Sequence, residues 1–112
     1  MAYNLTMVII ETPTFTRMIT ALLNDEDYRI LQHVLAANPE SGDIVPGGGG
    51  IRKIRFALPG KGKRGGVRVI YYWQKSKDSI FMLIAYVKSK KSNLTTEETA
   101  ILKQLVKEIE HG

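Results

Sequence analysis

The chain has 112 residues, 44% of them hydrophobic and 24% charged, the size and composition of one packed domain. It contains no cysteine, which excludes a disulfide framework, a thiol nucleophile and a zinc site of the cysteine type. Its formal charge of +5 conceals a segregation: Ile51 to Lys91 carries twelve Lys and Arg against one acid, Asp78, a balance of +11, and the remainder carries four bases and ten acids, or −6. Positive charge gathered in this way points to a polyanionic partner.

Met1 to Ile10 lacks a basic n-region and a small-residue cleavage site, so no signal peptide is expected. The longest apolar run, Ile80 to Val87, is eight residues long, too short to span a bilayer. A cytoplasmic chain without membrane association is the expectation.

Thr6 to Glu11 is rich in β-branched residues and reads as a first strand. After Pro13 the period changes: Phe15, Met18, Ile19, Leu22 and Leu23 recur at helical spacing. Asn24 or Asp25 then caps a second helix whose first turn holds Asp25, Glu26 and Asp27, where acids oppose the macrodipole. Its apolar face is Tyr28, Leu31, Val34 and Leu35, and Asn38-Pro39 ends it. Glu40 to Gly50 reads as a connection, with Pro46 and four successive glycines as its most flexible part. Three strands follow, over Ile51–Leu58, Val67–Lys75 and Ser79–Lys88, and short links predict consecutive antiparallel pairing. Thr95 to Glu98 forms a capping box for a last helix with Ile101, Leu102, Leu105, Val106 and Ile109 on its apolar side. The order β-α-α-β-β-β-α predicts a single α+β domain over 1–112: a small antiparallel-type sheet with an N-terminal helical hairpin on one face and a C-terminal helix at its edge or far face.

Side chains alternate along a strand, so Lys53 and Arg55 share a face if Ile54 and Phe56 pack on the hairpin. By the same rule Arg68, Ile70 and Tyr72 oppose Val67, Val69, Tyr71 and Trp73. In the last strand Met82, Ile84, Tyr86 and Lys88 oppose Phe81, Leu83, Ala85 and Val87. If the registers agree, one sheet face carries Lys53, Arg55, Arg68, Tyr86 and Lys88. Taken singly, each is a residue any surface carries; it is their convergence that suggests a site. Gly60-Lys61-Gly62-Lys63-Arg64-Gly65 fits G-x-G-x-x-G, but a strand follows it, not the helix that a dinucleotide site requires. It reads instead as a hairpin tip whose Lys61, Lys63 and Arg64 grip phosphates.

The chain has two histidines, His33 inside a helix and His111 next to the end, which gives no support for a paired-histidine mechanism. Its carboxylates lie mostly outside the basic segment, against a two-metal nuclease, and no cofactor or metal is expected. Lys, Arg and Tyr suffice for RNA cleavage by a 2′-hydroxyl: a base takes its proton, cations stabilise the charge at phosphorus, and an acid protonates the departing 5′-oxygen. A lysine serves as that base when like charges crowd it and lower its pKa.

Ile51-Arg52-Lys53-Ile54-Arg55, Lys61-Gly62-Lys63-Arg64-Gly65-Gly66, Arg68-Val69-Ile70-Tyr71-Tyr72 and Ile84-Ala85-Tyr86-Val87-Lys88 resemble the RelE/ParE superfamily, especially its HigB-like toxins. The likeness extends to Glu26-Asp27-Tyr28-Arg29, Asn38-Pro39 and Asp43. The resemblance implies a ribosome-dependent endoribonuclease that cleaves mRNA in the A site, is monomeric on its own, and is held inactive by a cognate antitoxin, for instance of the helix-turn-helix type. It implies Lys53 and Arg55 as the base and charge-stabilising pair, Arg68 as the contact to the scissile phosphate, and Tyr86 and Lys88 as the contribution of the last strand. Arg52, Tyr72, Lys90 and Lys91 join the hairpin tip as the expected RNA-binding surface. Family members with an arginine after that lysine and a tyrosine near the last helix differ from this chain, which has Ser89 and no aromatic around Leu94 and Thr95, so Lys88, Lys90 and Tyr86 all stand as candidates for the acid. ParE-like relatives that poison gyrase, and a non-catalytic RNA-binding module, are the competing functions.

Overall fold

A computed structural model describes residues 7–57, 66–91 and 93–112; Thr6 and the loop residues Lys61, Lys63 and Arg64 lie outside that set. The elements in chain order are β1 (Val8–Glu11), α1 (Pro13–Leu22), α2 (Asp25–Ala37), β2 (Asp43–Ile44), β3 (Arg52–Phe56), β4 (Val67–Gln74), β5 (Ser79–Val87) and α3 (Thr96–His111). The strands form one sheet in the order β1-β5-β4-β3-β2. As the short links predict, β3, β4 and β5 pair antiparallel in succession. β1 adds to the edge in parallel with β5, from Val8↔Ser79 to Glu11↔Met82. A 3₁₀ turn, Lys75–Lys77, joins β4 to β5, and Asp78 closes it in the left-handed conformation at φ 47°. This turn ends β4 at Gln74, one residue before the expected Lys75, and β5 ends at Val87, not Lys88.

The helical hairpin forms as its caps dictate. Thr12 accepts the Phe15 N–H at 3.0 Å with Pro13 in the first turn of α1, and Asn24 accepts the Asp27 N–H at 2.8 Å to start α2. Phe15, Ile19, Leu23, Leu31 and Leu35 from these helices are buried against Val67, Val69, Tyr71, Ile80, Met82 and Ala85 of the sheet. Burying each large aliphatic or aromatic side chain stabilises the fold by about 1.5–3 kcal/mol. Val34, expected on the apolar face of α2, is exposed. α3 lies on the far face, where Leu102 and Val106 close a second core with Ile51, Ile70, Leu83 and Tyr86. Its Ile101, also expected to be inward, is 67% exposed, because the stripe that meets the sheet is the narrower one of Leu102, Leu105, Val106 and Ile109.

Two further features depart from the sequence expectation. The stretch read as a plain connection contains β2, whose Asp43 and Ile44 pair with Lys53 and Arg52. It is set by Tyr71, which is fully buried: its hydroxyl donates to Pro39 O at 2.7 Å and accepts the Gly42 N–H at 2.9 Å. Only glycine fits at position 42, since a Cβ there would stand 2.9 Å from both Lys53 O and the Tyr71 ring. The glycine-rich stretch that follows is a turn with Gly47, Gly49 and Gly50 at positive φ, reaching 116° at Gly50, a conformation that a side chain disfavours.

The second departure is a β-bulge in β5. Ile70 pairs with Ile84 but Tyr71 pairs with Met82, so Leu83 is the extra residue. The simple alternation therefore fails: Phe81, Leu83, Ile84 and Tyr86 all belong to the α3 face, whereas Met82 and Ala85 belong to the hairpin face. Thr12 secures the bulge by donating its hydroxyl to Leu83 O at 2.7 Å, while its N–H donates to Met82 O at 3.1 Å. Replacing Thr12 by valine keeps the shape and removes both the cap and the bulge bond. We expect a loss of about 1–2 kcal/mol, read as a fall in melting temperature of roughly 5–10 °C.

Candidate RNA-cleavage face

The bulge and the register bring the basic residues together. Arg55 pairs with Arg68, and Arg68 pairs with Tyr86, so the three form one row across β3, β4 and β5 on the α3 face. Neighbours in such a row are about 4.5–5.5 Å apart at Cα. Lys53 stands two residues from Arg55 on the same face, about 6.7 Å along the strand. Lys88 follows Tyr86 by the same alternation, one residue past the end of β5, and its N–H donates to Gly66 O at 3.3 Å, continuing the β4–β5 pairing.

The exposure of these residues grades from one end of the row to the other. Arg55 is exposed, Lys53 half-buried, and Arg68 only 5% exposed. Among the described residues no carboxylate lies within ion-pair distance of Lys53, Arg55 or Arg68. The residues outside that set carry no carboxyl side chain. A guanidinium so enclosed and without a charged partner is poised for an anion from outside. Lys53 Nζ donates to Asn93 Oδ1 at 3.2 Å, which ties the chain ahead of α3 to this face. A cleft of about 360 Å³ opens beside Lys53 and Arg55, between the β2 segment and Asn93, Leu94 and Thr99.

Tyr86 closes the row on the inside. Its hydroxyl is buried without a hydrogen-bond partner among the described residues. Burial first, and Glu98 to a lesser degree, push the phenol above its ordinary value against the opposing pull of Arg68. It therefore stays protonated, with its O–H available as a donor. Lys91 lies 5.9 Å from the Tyr86 ring centroid and is ion-paired with Glu98, the capping-box residue of α3.

Other residues expected on the RNA-binding surface stand apart from this row. Arg52 is directed to the opposite face, where it donates to Gly42 O at 2.8 Å and pairs with Glu40 at 3.5 Å; its work is to hold the chain before β2. Tyr72 lies on the α3 face, but its hydroxyl donates to Glu110 near the C-terminal end of α3, and burial with Glu110 pushes it up to about 12. Lys91 is committed to Glu98, and Lys90 is exposed beside an apolar groove formed with Met18, Ala21 and Leu22 of α1. The partners that the sequence reading missed, Asn93 for Lys53 and Glu98 for Lys91, are 40 and 7 residues away in the chain. Only the second had a local signal, the capping box itself.

Glu98 gives this face a pH dependence. Lys91 first, then the Thr95 N–H, hold its carboxyl below the ordinary value of 4.5. A lowered folded-state pKa means that the contribution is fully present above the unfolded value and is lost as pH falls through the folded one. The melting temperature of Glu98→Gln should therefore lie below that of the wild type by a constant margin above about pH 5, and the margin should close on acidification below pH 4.5.

No described helix is long and apolar enough to cross a membrane. Over residues 7–111 the sequence matches the family model described as the RelE toxin of the RelE/RelB toxin–antitoxin system. The α+β order, the strand pairing and a match across nearly the whole chain agree: this chain belongs to the RelE toxin family.

Proposed function

We propose that this toxin is a metal-independent, ribosome-dependent endoribonuclease of HigB-like type, acting on mRNA in the cytoplasm and neutralised by a cognate antitoxin. The observation that carries the reading is the row Arg55–Arg68–Tyr86 with Lys53 beside it, a cationic surface without a described carboxylate in ion-pair reach. Arg68, enclosed at the centre, binds the scissile phosphate, and Arg55 stabilises the charge that develops on it. Lys53 takes the proton of the 2′-hydroxyl as that oxygen bonds to phosphorus. The bond from phosphorus to the 5′-oxygen breaks, leaving a 2′,3′-cyclic phosphate, and Lys88 donates a proton to the departing oxygen. Lys88 is favoured as the acid because it is exposed at the end of the row, whereas the Tyr86 hydroxyl is buried.

The same arrangement opposes folding, which separates the functional from the structural role of these residues. Arg55 and Arg68 are like charges directly opposite each other, a pairing that destabilises a sheet by about 0.2–1 kcal/mol. Arg55→Thr should raise the melting temperature by a few degrees while lowering RNA cleavage, a combination that a purely structural residue does not give. Arg68→Met preserves volume and breaks no described ion pair. It should fold, bind antitoxin, and lose cleavage by about 10²–10³-fold. Induction in cells followed by mapping of RNA 5′ ends checks this: full growth inhibition by Arg68→Met overturns the assignment, and DNA damage without new 5′ ends identifies a gyrase poison instead.

A further inference from the structure

Lys53 stands between two acceptors of different charge. One is Asp43, its Cα partner on β2, which shares its face. Such partners lie within about 5.5 Å at Cα, and opposite charges there attract. The other is Asn93, 40 residues away in the chain, and it is Asn93 Oδ1 that accepts from Lys53 Nζ at 3.2 Å. Lys53 and Asp43 form no ion pair, although both line one cleft with Arg55 and Asn93. The difference matters chemically. A carboxylate favours the protonated form of an amine, whereas a neutral amide oxygen fixes its place without adding negative charge. A general base has to be in place and free to take up a proton. Glu98 prepares the position of Asn93: its carboxylate holds Lys91, two residues before, and accepts the N–H of Thr95, two residues after, at 2.8 Å. Both flanks of Asn93 are thus anchored to the first turn of α3, which limits the entropy that the contact with Lys53 costs.

We infer that Asn93 is a positioning residue for the cleavage, holding Lys53 away from Asp43, so that an amide and a carboxylate compete for one amine; the inference rests on the RNA-cleavage reading above. The competition is close, since an exposed ion pair and a single hydrogen bond are both weak contacts. Removing the amide therefore releases the lysine to the carboxylate. Removing both acceptors leaves it free to reach the 2′-hydroxyl.

The test is single-turnover cleavage of mRNA on programmed ribosomes by the whole protein and its variants Asn93→Ala, Asp43→Asn and the two combined. Asn93→Ala should cleave about tenfold more slowly, the effect of a displaced base, with an unchanged melting temperature because Asn93 is exposed. Asp43→Asn should cleave at about the wild-type rate. Combined with Asn93→Ala it should restore most of the loss, a rescue that a merely structural Asn93 does not give. In the free protein, nuclear Overhauser contacts of the Lys53 ε-methylene should reach the Asn93 side chain in the wild type and move to Asp43 in Asn93→Ala. Wild-type cleavage by Asn93→Ala, a combined variant as slow as Asn93→Ala, or a Lys53 side chain that stays off Asp43 when Asn93 is gone overturns the inference. A wild type that leaves mRNA intact while those contacts move as expected fails the cleavage reading instead, and the competition for Lys53 stands.

Discussion

The fold turns on one extra residue in β5, Leu83, and on the hydroxyl of Thr12 that secures it. A sheet with a hairpin on one face and a helix on the other must supply apolar side chains to both. An unbroken alternation would put Ile80 and Met82 on the same face as Tyr86. The bulge resolves this by letting Ile80 and Met82 pack against the hairpin while Leu83, Ile84 and Tyr86 pack against α3. Thr12 joins three tasks at one position: it ends the β1–β5 ladder, satisfies the carbonyl of the bulged residue and starts α1. The cationic row is aligned by the same device, because Arg68 meets Tyr86 only in the register beyond the bulge.

Much of this was legible in the sequence, and the limit has a physical cause. Caps, helices, the antiparallel succession of β3, β4 and β5 and the shared face of Lys53, Arg55 and Arg68 follow from local rules: a Thr or Asn before a helical period, short links between strands, and a side-chain period of two. The faces of Phe81, Met82 and Leu83 were not legible, since a bulge without a glycine leaves no mark in composition. Nor was β2, which is two residues long and held by a tyrosine hydroxyl 29 positions away from Gly42. Arg52 shows the same limit from the charge side. It sits in the basic run with Lys53 and Arg55, but alternation and a bond to Gly42 O turn it into a brace for the opposite face.

The division of charge along the chain becomes a division of labour in space. Acids of the N-terminal half line the first turn of α2 and, through Glu11, receive the Thr16 hydroxyl at 2.6 Å and the Tyr28 hydroxyl. Those of α3 clamp Lys91 and Tyr72. Between these supports the centre of the sheet is left cationic, with Asp43 at its margin.

The enclosure of Arg68 without a carboxylate has a thermodynamic consequence of its own. A ligand that binds the folded chain and not the unfolded one raises its apparent stability by mass action. Any anion that settles against Arg68 is therefore also a folding ligand, drawing on the same reservoir of unrelieved charge. The less the chain neutralises its own guanidinium, the more free energy remains for whatever anion covers it.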